Sequence, residues 1–361
     1  ASTDIASTAD SNAAGGAFSV YATDLDGDGD ADVLAAAEDD DRIVWYENDG
    51  TGGFSSGTDI ASPAGSNAAV SPRAVYATDL DGDGDADVLS ASWFHHRIVW
   101  YENDGSGGFS PGTNITTTAT GAQSVYGADL DGDGDVDVLS ASLSDNRIVW
   151  YENGGVGSFS AGTDIASPAG SNPADDAQSV YATDLDGDGD ADVLSASDAD
   201  DRIVWYENDG AGSFTAGTDI ASPAGSNAAD NARSVFATDL DGDGDAEVLS
   251  ASYSDGRIVW YENDGSGGFS LGTDITASAN GPRSVYATDL DGDGDADVLA
   301  ASAIDDPIVW YENSDGAGSF SAGTDITTTA TGAVSVYATD LDGDGDADVL
   351  AAAQFDDRIM W

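Results

Sequence analysis

Seven times in 361 residues the chain carries Asp-Leu-Asp-Gly-Asp-Gly-Asp-x-Asp, with a Glu closing the fifth copy. Every second residue is a carboxylate, and a glycine at position 6 permits a sharp turn. Oxygen donors at this density suit a hard divalent cation. Ca²⁺ takes 6–8 oxygens in a flexible shell, whereas Mg²⁺ wants fewer and tighter ones. The candidate ligands are Asp24, Asp26, Asp28, Asp30 and Asp32, then Asp79, Asp81, Asp83, Asp85 and Asp87, then Asp129, Asp131, Asp133, Asp135 and Asp137. The later loops offer Asp184, Asp186, Asp188, Asp190 and Asp192; Asp239, Asp241, Asp243, Asp245 and Glu247; Asp289, Asp291, Asp293, Asp295 and Asp297; and Asp340, Asp342, Asp344, Asp346 and Asp348. A calcium loop of a helical EF-hand needs Glu at position 12, where this chain has Ala35 or Ser90, so that reading fails. Without a cation, carboxylates ~5 Å apart repel by roughly 1 kcal/mol per pair even in water. The metal-free loops are therefore expected to be strained or disordered. A solvated acidic turn without metal is the plain alternative; seven identical spacings argue against it.

Loops this regular need a scaffold that repeats. The copies are 55, 50, 55, 55, 50 and 51 residues apart, a period that indicates a propeller or a solenoid. One unit reads as four short strands: Phe18–Thr23 into the loop (A), Asp32–Ala37 out of it (B), Arg42–Glu47 (C), and Phe54–Ala61 (D) after the Asn48-Asp49-Gly50 turn. No segment keeps a 3.6-residue apolar spacing, so helix is not expected. The predicted fold is all-β, a seven-bladed β-propeller of four-stranded antiparallel blades. Small residues such as Ala22, Ala35 and Ala36 are expected near the axis. Trp45, Trp100, Trp150, Trp205, Trp260, Trp310 and Trp361 recur in strand C and are expected to pack between blades. Glu47 and its repeats at Glu102, Glu152, Glu207, Glu262 and Glu312 are likewise read as serving the core of the blade.

The ends of the chain match each other. Ser2–Ser7 resembles the second half of strand D, and Arg358–Trp361 is a strand C. The N-terminal strand is thus expected to close the ring, making residues 1–361 one propeller in which 1–7 complete the last blade with 334–361. Ala1 reads as a mature or trimmed end. No hairpin follows Trp361, which raises the expectation of a longer parent chain.

The formal charge is −60, from 69 acidic residues and 9 basic ones, all of the latter arginine. Seven divalent ions would neutralise 14 of those charges and leave roughly −46, a field that repels nucleic acid and anionic membranes. Forty per cent hydrophobic residues suffice for a core. Cysteine is absent, which excludes disulfides and thiol chemistry. No apolar run reaches the ~20 residues that span a bilayer, and no signal peptide is visible. A lysine-free, Asp-rich composition fits a salty or extracellular setting, or equally drift within a repeat family.

The Asp-x-Asp-x-Asp-Gly-x-x-Asp loop resembles the calcium loops of FG-GAP/VCBS repeats, the blades of propellers like those of integrin α-subunits. The resemblance covers essentially the whole chain. It implies that side chains at positions 1, 3, 5 and 9 bind the ion and that position 7 gives a backbone carbonyl. In the first copy these are Asp24, Asp26, Asp28, Asp32 and the carbonyl of Asp30. About seven Ca²⁺ ions are implied, one per blade, and Glu247 departs from the pattern.

In such a propeller the A–B and C–D turns share one face, which is nearly invariant here and reads as structural. The other face carries variable B–C turns and D–A links, as in Ser62 to Ser71, and is the candidate recognition face. Its candidate partner-binding residues are Trp93, Phe94, His95 and His96, with Tyr253 and Phe355 on other blades. Exposed aromatics beside carboxylates suit sugar stacking or protein contact, although neutral loop drift would leave the same residues. Asn114-Ile115-Thr116 is a glycosylation sequon placed on a surface link, and the threonine runs at 116–118 and 327–329 could carry O-glycans. The function expected is a non-catalytic, calcium-stabilised extracellular or cell-surface propeller for adhesion or filament assembly. Its partner would be a protein, a glycan or further copies of itself, with no nucleic acid and no membrane insertion. A lectin-like glycan-binding module is the alternative, and a propeller-based polysaccharide lyase or hydrolase is a third. The chain is not expected to be an enzyme: catalysis normally breaks a repeat, and no unique acid–base pair stands out.

Overall fold

The computed structural model describes residues 2–7, 14–63, 69–168, 174–223, 229–305 and 307–361. Ala1 and the middle of the Ser62–Ser71 link lie outside them. The described residues form 28 strands in seven four-stranded antiparallel sheets, with no helix among them. Blade 1 consists of strand A (Ala17–Thr23), B (Asp32–Ala37), C (Arg42–Tyr46) and D (Thr58–Ala61), paired in that order. Strands A and B each carry the alternation or apolar run expected of a sheet pressed between two others. The A strands of neighbouring blades touch one another around the axis.

Strand D is shorter than its sequence suggests. Phe54 pairs with Asn48 through an isolated bridge and not a continued ladder. Gly57 then takes a φ of +77° and interrupts the extended backbone before Thr58.

The seventh blade is Ala333–Thr339, Asp348–Ala353, Arg358–Met360 and, from the other end of the chain, Asp4–Ala6. Thr3 and Trp361 exchange both backbone hydrogen bonds, at 2.8 and 3.0 Å. Arg358 pairs with Asp4 as Arg42 pairs with Asp59 within blade 1, so the closing strand reproduces the C–D ion pair of a continuous blade.

The core lies between blades. Leu34, Ala36, Ile43 and Trp45 of blade 1 pack on Val75, Val88, Val99 and Tyr101 of blade 2. Trp45 meets Phe109 of the next blade edge-on at 6.2 Å. The same pairing recurs for Trp100, Trp150, Trp205, Trp260 and Trp361. Trp310 has no such pair among the described residues and is only half-buried.

Ala22, Ala35 and Ala36 lie in the core between blades and not at the axis, contrary to the sequence reading. Val20 and Ala22 on one face of strand A enter the core between blades. Tyr21, on the opposite face, joins Tyr76, Tyr126, Tyr181, Phe236, Tyr286 and Tyr337 in a closed ring. Neighbouring ring centroids are 4.7–4.9 Å apart. Burial is the main cause of the raised pKa of the Tyr21 hydroxyl, followed by the adjacent Tyr76 and Tyr337. Just above, the hydroxyl of Ser19 accepts the amide of Val75 in the next blade at 3.3 Å. Five equivalent bonds follow round the ring. The position that would serve Val125 holds Ala74, which has no hydroxyl.

A second belt comes from Asn48 and its repeats. Its amide donates to Ala31 O of its own blade (2.9 Å) and to Leu341 O of the preceding blade (2.8 Å). Asn103, Asn153, Asn208, Asn263 and Asn313 make the same reach to Leu25, Leu80, Leu130, Leu185 and Leu240. Leu290 receives no such bond among the described residues.

Asn103→Leu keeps the shape but strips donors from Leu25 O and Ala86 O. The expected loss is about 2–4 kcal/mol of unfolding free energy, read by denaturant unfolding of the ion-loaded protein.

Candidate metal centres and the opposite face

Each acid loop is a coil of carboxylates bonded to its own backbone. In the first, Asp24 Oδ1 accepts Gly27 N at 2.7 Å and Oδ2 accepts Gly29 N at 3.0 Å. Asp26 and Asp28 each accept the amide two residues on. Gly29 has a φ of +98° with nothing within 4 Å of a would-be Cβ, so backbone conformation rather than space requires glycine there.

The ninth residue anchors the loop. Asp32 is fully buried and accepts Leu25 N (3.1 Å) and Asn48 N (2.8 Å). Burial pushes its pKa from 3.8 up to about 6, against those two bonds. Asp87, Asp137 and Asp192 behave alike, also rising to about 6. Asp297 and Asp348 shift upward as well.

Ligand oxygens of Asp24, Asp26 and Asp32 lie within 4.8 Å of one another, and the same holds for Asp79, Asp81 and Asp87. Asp129, Asp131 and Asp137, then Asp184, Asp186 and Asp192, then Asp239, Asp241 and Glu247 repeat the group, and two more exist. These are positions 1, 3 and 9. In these five loops the side chains at positions 5 and 7 fall outside the group. Asp28 is exposed, and the Asp30 carboxylate lies against Gly50 in the C–D turn.

Glu247 keeps the site but alters its anchor. Its Oε2 accepts Leu240 N at 2.7 Å, while its Oε1 is buried without a partner. The extra methylene carries that oxygen away from the amide that Asp32 satisfies in blade 1. Its pKa rises to about 7, mainly through burial.

Glu47 is not a core residue: it is exposed, and its charge acts on Asp26. Strand alternation places it outward, between buried Tyr46 and buried Asn48. Asn48, the residue that ties loop, turn and neighbouring blade together, was missed in the sequence. Its one signal was an unbroken recurrence after Glu.

On the opposite face the expected aromatic patch is divided. Phe94 and Phe355 are 62% and 70% exposed. Trp93 instead packs on Arg73, whose guanidinium carbon lies 4.8 Å from its ring centroid. Tyr253 sits between Arg233 and Arg283, at 5.4 and 5.3 Å. His96 Nδ1 accepts Gly121 N at 3.1 Å, and His95 does not share that contact. Asn114 is exposed, but in the outermost strand of blade 2 (Thr113–Thr116) and not on a link. The sequon therefore belongs to the D strand, where other blades hold the Asp of the C–D ion pair.

The arginines were the larger omission. Phe18, Arg73, Gln123, Gln178, Arg233, Arg283 and Val334, one from each blade, line a cavity of about 70 Å³ at the mouth of the central channel. Pairing between strands A and B slips at this residue in every blade, as between Ala17 and Ser19. A bulge of this kind re-aims a side chain.

The FG-GAP-like repeat profile matches six overlapping stretches, residues 24–90, 79–140, 129–195, 184–250, 239–300 and 289–351. No curated protein matches the chain significantly in sequence. Among solved structures, one similar fold is an Agrocybe aegerita lectin, described as recognising non-reducing terminal N-acetylglucosamine. It is 20% identical with a TM-score of 0.64, over 92% of this chain and 84% of the lectin. BBS1N, solved in complex with ARL6DN, is 13% identical with a TM-score of 0.60, over 96% of this chain and 93% of its own. The extracellular domain of a hybrid two-component system from B. thetaiotaomicron is 14% identical with a TM-score of 0.60. The match covers 99% of this chain but 39% of that one. At these identities the likeness is one of fold.

Two outcomes follow from the ninth position. Glu247→Asp restores the second backbone bond and is expected to add about 1 kcal/mol of stability, measured as a higher unfolding midpoint. The anchoring carboxyls have folded pKa values above the ordinary 3.8. Between roughly pH 4 and 6 the folded state therefore holds protons that the unfolded chain has released. Chelator-treated protein is expected to gain stability as pH falls from 7 toward 5; a melting temperature that drops steadily over that range would contradict this.

Proposed function

The chain belongs to the FG-GAP-like repeat family, and from that premise we propose that it is a non-catalytic, calcium-stabilised propeller working outside the cell. In this reading the acid loops hold the ions and the opposite face engages a protein or a glycan. The observation that carries it is the convergence of carboxylates from positions 1, 3 and 9 in one loop after another, with the ninth buried. A hard cation would relieve both the mutual repulsion and the cost of ionising the buried member. Positions 1, 3, 5 and 9 with the carbonyl of position 7 would form the shell: Asp24, Asp26, Asp28, Asp32 and the Asp30 carbonyl in blade 1. Position 5 would have to turn inward on binding.

Glycan binding is the alternative for the outer face, and the lectin with a similar fold motivates it. Phe94 and Phe355 supply exposed aromatic surface for either partner. An extracellular setting is favoured by the sequon at Asn114 and by the calcium that seven such loops would need. No catalytic pair is proposed, because the repeats distribute the same carboxylates to each blade.

Calorimetric titration is expected to give about seven Ca²⁺ per chain, with Mg²⁺ a poor competitor. Asp79→Asn with Asp81→Asn should remove one ion. A stoichiometry near zero, or equal affinity for Mg²⁺, would overturn the calcium reading.

A further inference from the structure

In a chain with 69 acidic and 9 basic residues, an arginine without a carboxylate requires an explanation. Three arginines converge on the channel mouth, and the repeat supplies internal controls for each. Arg73 is paired with Glu38, the first residue of the preceding blade's B–C turn, at 2.8 Å. Arg233 is paired with Asp198, the equivalent residue one blade back, at 2.7 Å. For Arg283 that equivalent residue is Tyr253, which offers a ring face and no carboxylate. Arg283 has no ion pair within 4.0 Å among the described residues, and its Nε is buried without a hydrogen-bond partner; only at longer range does its charge act on Asp198, the partner of Arg233. Arg233 also lies over the Tyr253 ring, so two like charges share one aromatic. Burial lowers the Arg233 pKa, and Arg283 adds to that shift.

The two sides of this fork differ: Arg233 stands on one. On the other stand Val334 and then Phe18, whose ring also faces the Arg73 guanidinium at 4.9 Å. The ring of aromatics lies three residues farther along the same strands, below the fork. A guanidinium fork with an open edge matches a carboxylate in two parallel hydrogen bonds, and the apolar arc beside it would cover the rest of a small molecule.

We propose that the mouth of the central channel is a binding site for a small carboxylate, held by Arg283 and covered by Val334 and Phe18. The carboxylate takes the place that Glu38 and Asp198 occupy for the other two arginines. An acidic sugar and an apolar organic acid share this chemistry. The proposal rests on the reading of this face as the recognition face, and not on ion binding by the loops opposite.

The test uses the full chain with saturating Ca²⁺. Saturation-transfer NMR titrations are run with benzoate, with glucuronate, and with benzamide as a neutral isostere of benzoate. At least one carboxylate is expected to bind saturably, with benzamide at least tenfold weaker than benzoate where benzoate binds. Benzoate as the tighter ligand would assign the site to apolar acids, and glucuronate to acidic sugars. Arg283→Gln removes the fork. Tyr253→Glu keeps Arg283 but gives it the internal carboxylate found in the other blades. Each is expected to weaken binding tenfold or more while calcium stoichiometry is retained. Failure of both carboxylates to bind, binding unchanged in either folded variant, or benzamide binding as well as benzoate would overturn the site. Loss of calcium stoichiometry in the unmodified chain would count against the loops alone.

Discussion

A buried carboxylate at the ninth loop position is the interaction on which each blade depends. Asp32 begins strand B, holds the start of the loop through Leu25 N, and holds the C–D turn through Asn48 N. Two backbone donors do not fully offset its burial, as its raised pKa records. The remaining imbalance sits beside Asp24 and Asp26, at one point of the loop. Loop, turn and proposed ion are thus parts of one electrostatic problem: a charge that must be buried to organise the blade and neutralised to stay there.

That local solution is passed round the ring. Asn48, positioned by Asp32, carries a hydrogen bond to the Leu carbonyl of the preceding blade's loop. Each acid loop is thus joined by hydrogen bonds to the seam with the preceding blade. The tyrosine ring and the serine hydroxyls tie the inner strands, while Trp–Phe pairs tie the outer ones. These belts use residues that recur in the repeat. They leave the B–C turns and the bulged residue of strand A free to vary, and there the blades differ in charge and shape. One face keeps the ring together and the other carries the individuality of the chain.

Much of this was legible in the sequence. The loops, strands A to C, the inter-blade tryptophans and the closure by residues near Asp4 all follow from recurrence and alternation. Strand D was overextended because its Gly57 backbone conformation is not written in hydropathy. The axis was misassigned because alternation says that Tyr21 and Ala22 face apart, and not which of them meets its own repeats. The sequence shows Trp93 and Tyr253 only as loop aromatics, because their arginine partners come from strand A, some twenty or more residues away, and reach them through a bulge. Arg73, Arg233 and Arg283 share one repeat position with Phe18 and Gln123, a break in the pattern whose meaning depends on seven strands meeting at one point.

The most direct test of the account is thermal unfolding in excess Ca²⁺, in excess Mg²⁺ and with chelator, at one pH and ionic strength. If ions complete the charge balance around Asp32 and its repeats, linkage raises the melting temperature strongly and specifically with Ca²⁺. Equal melting temperatures in all three conditions would show that the buried carboxylates are balanced by the protein alone, and the central claim would fail.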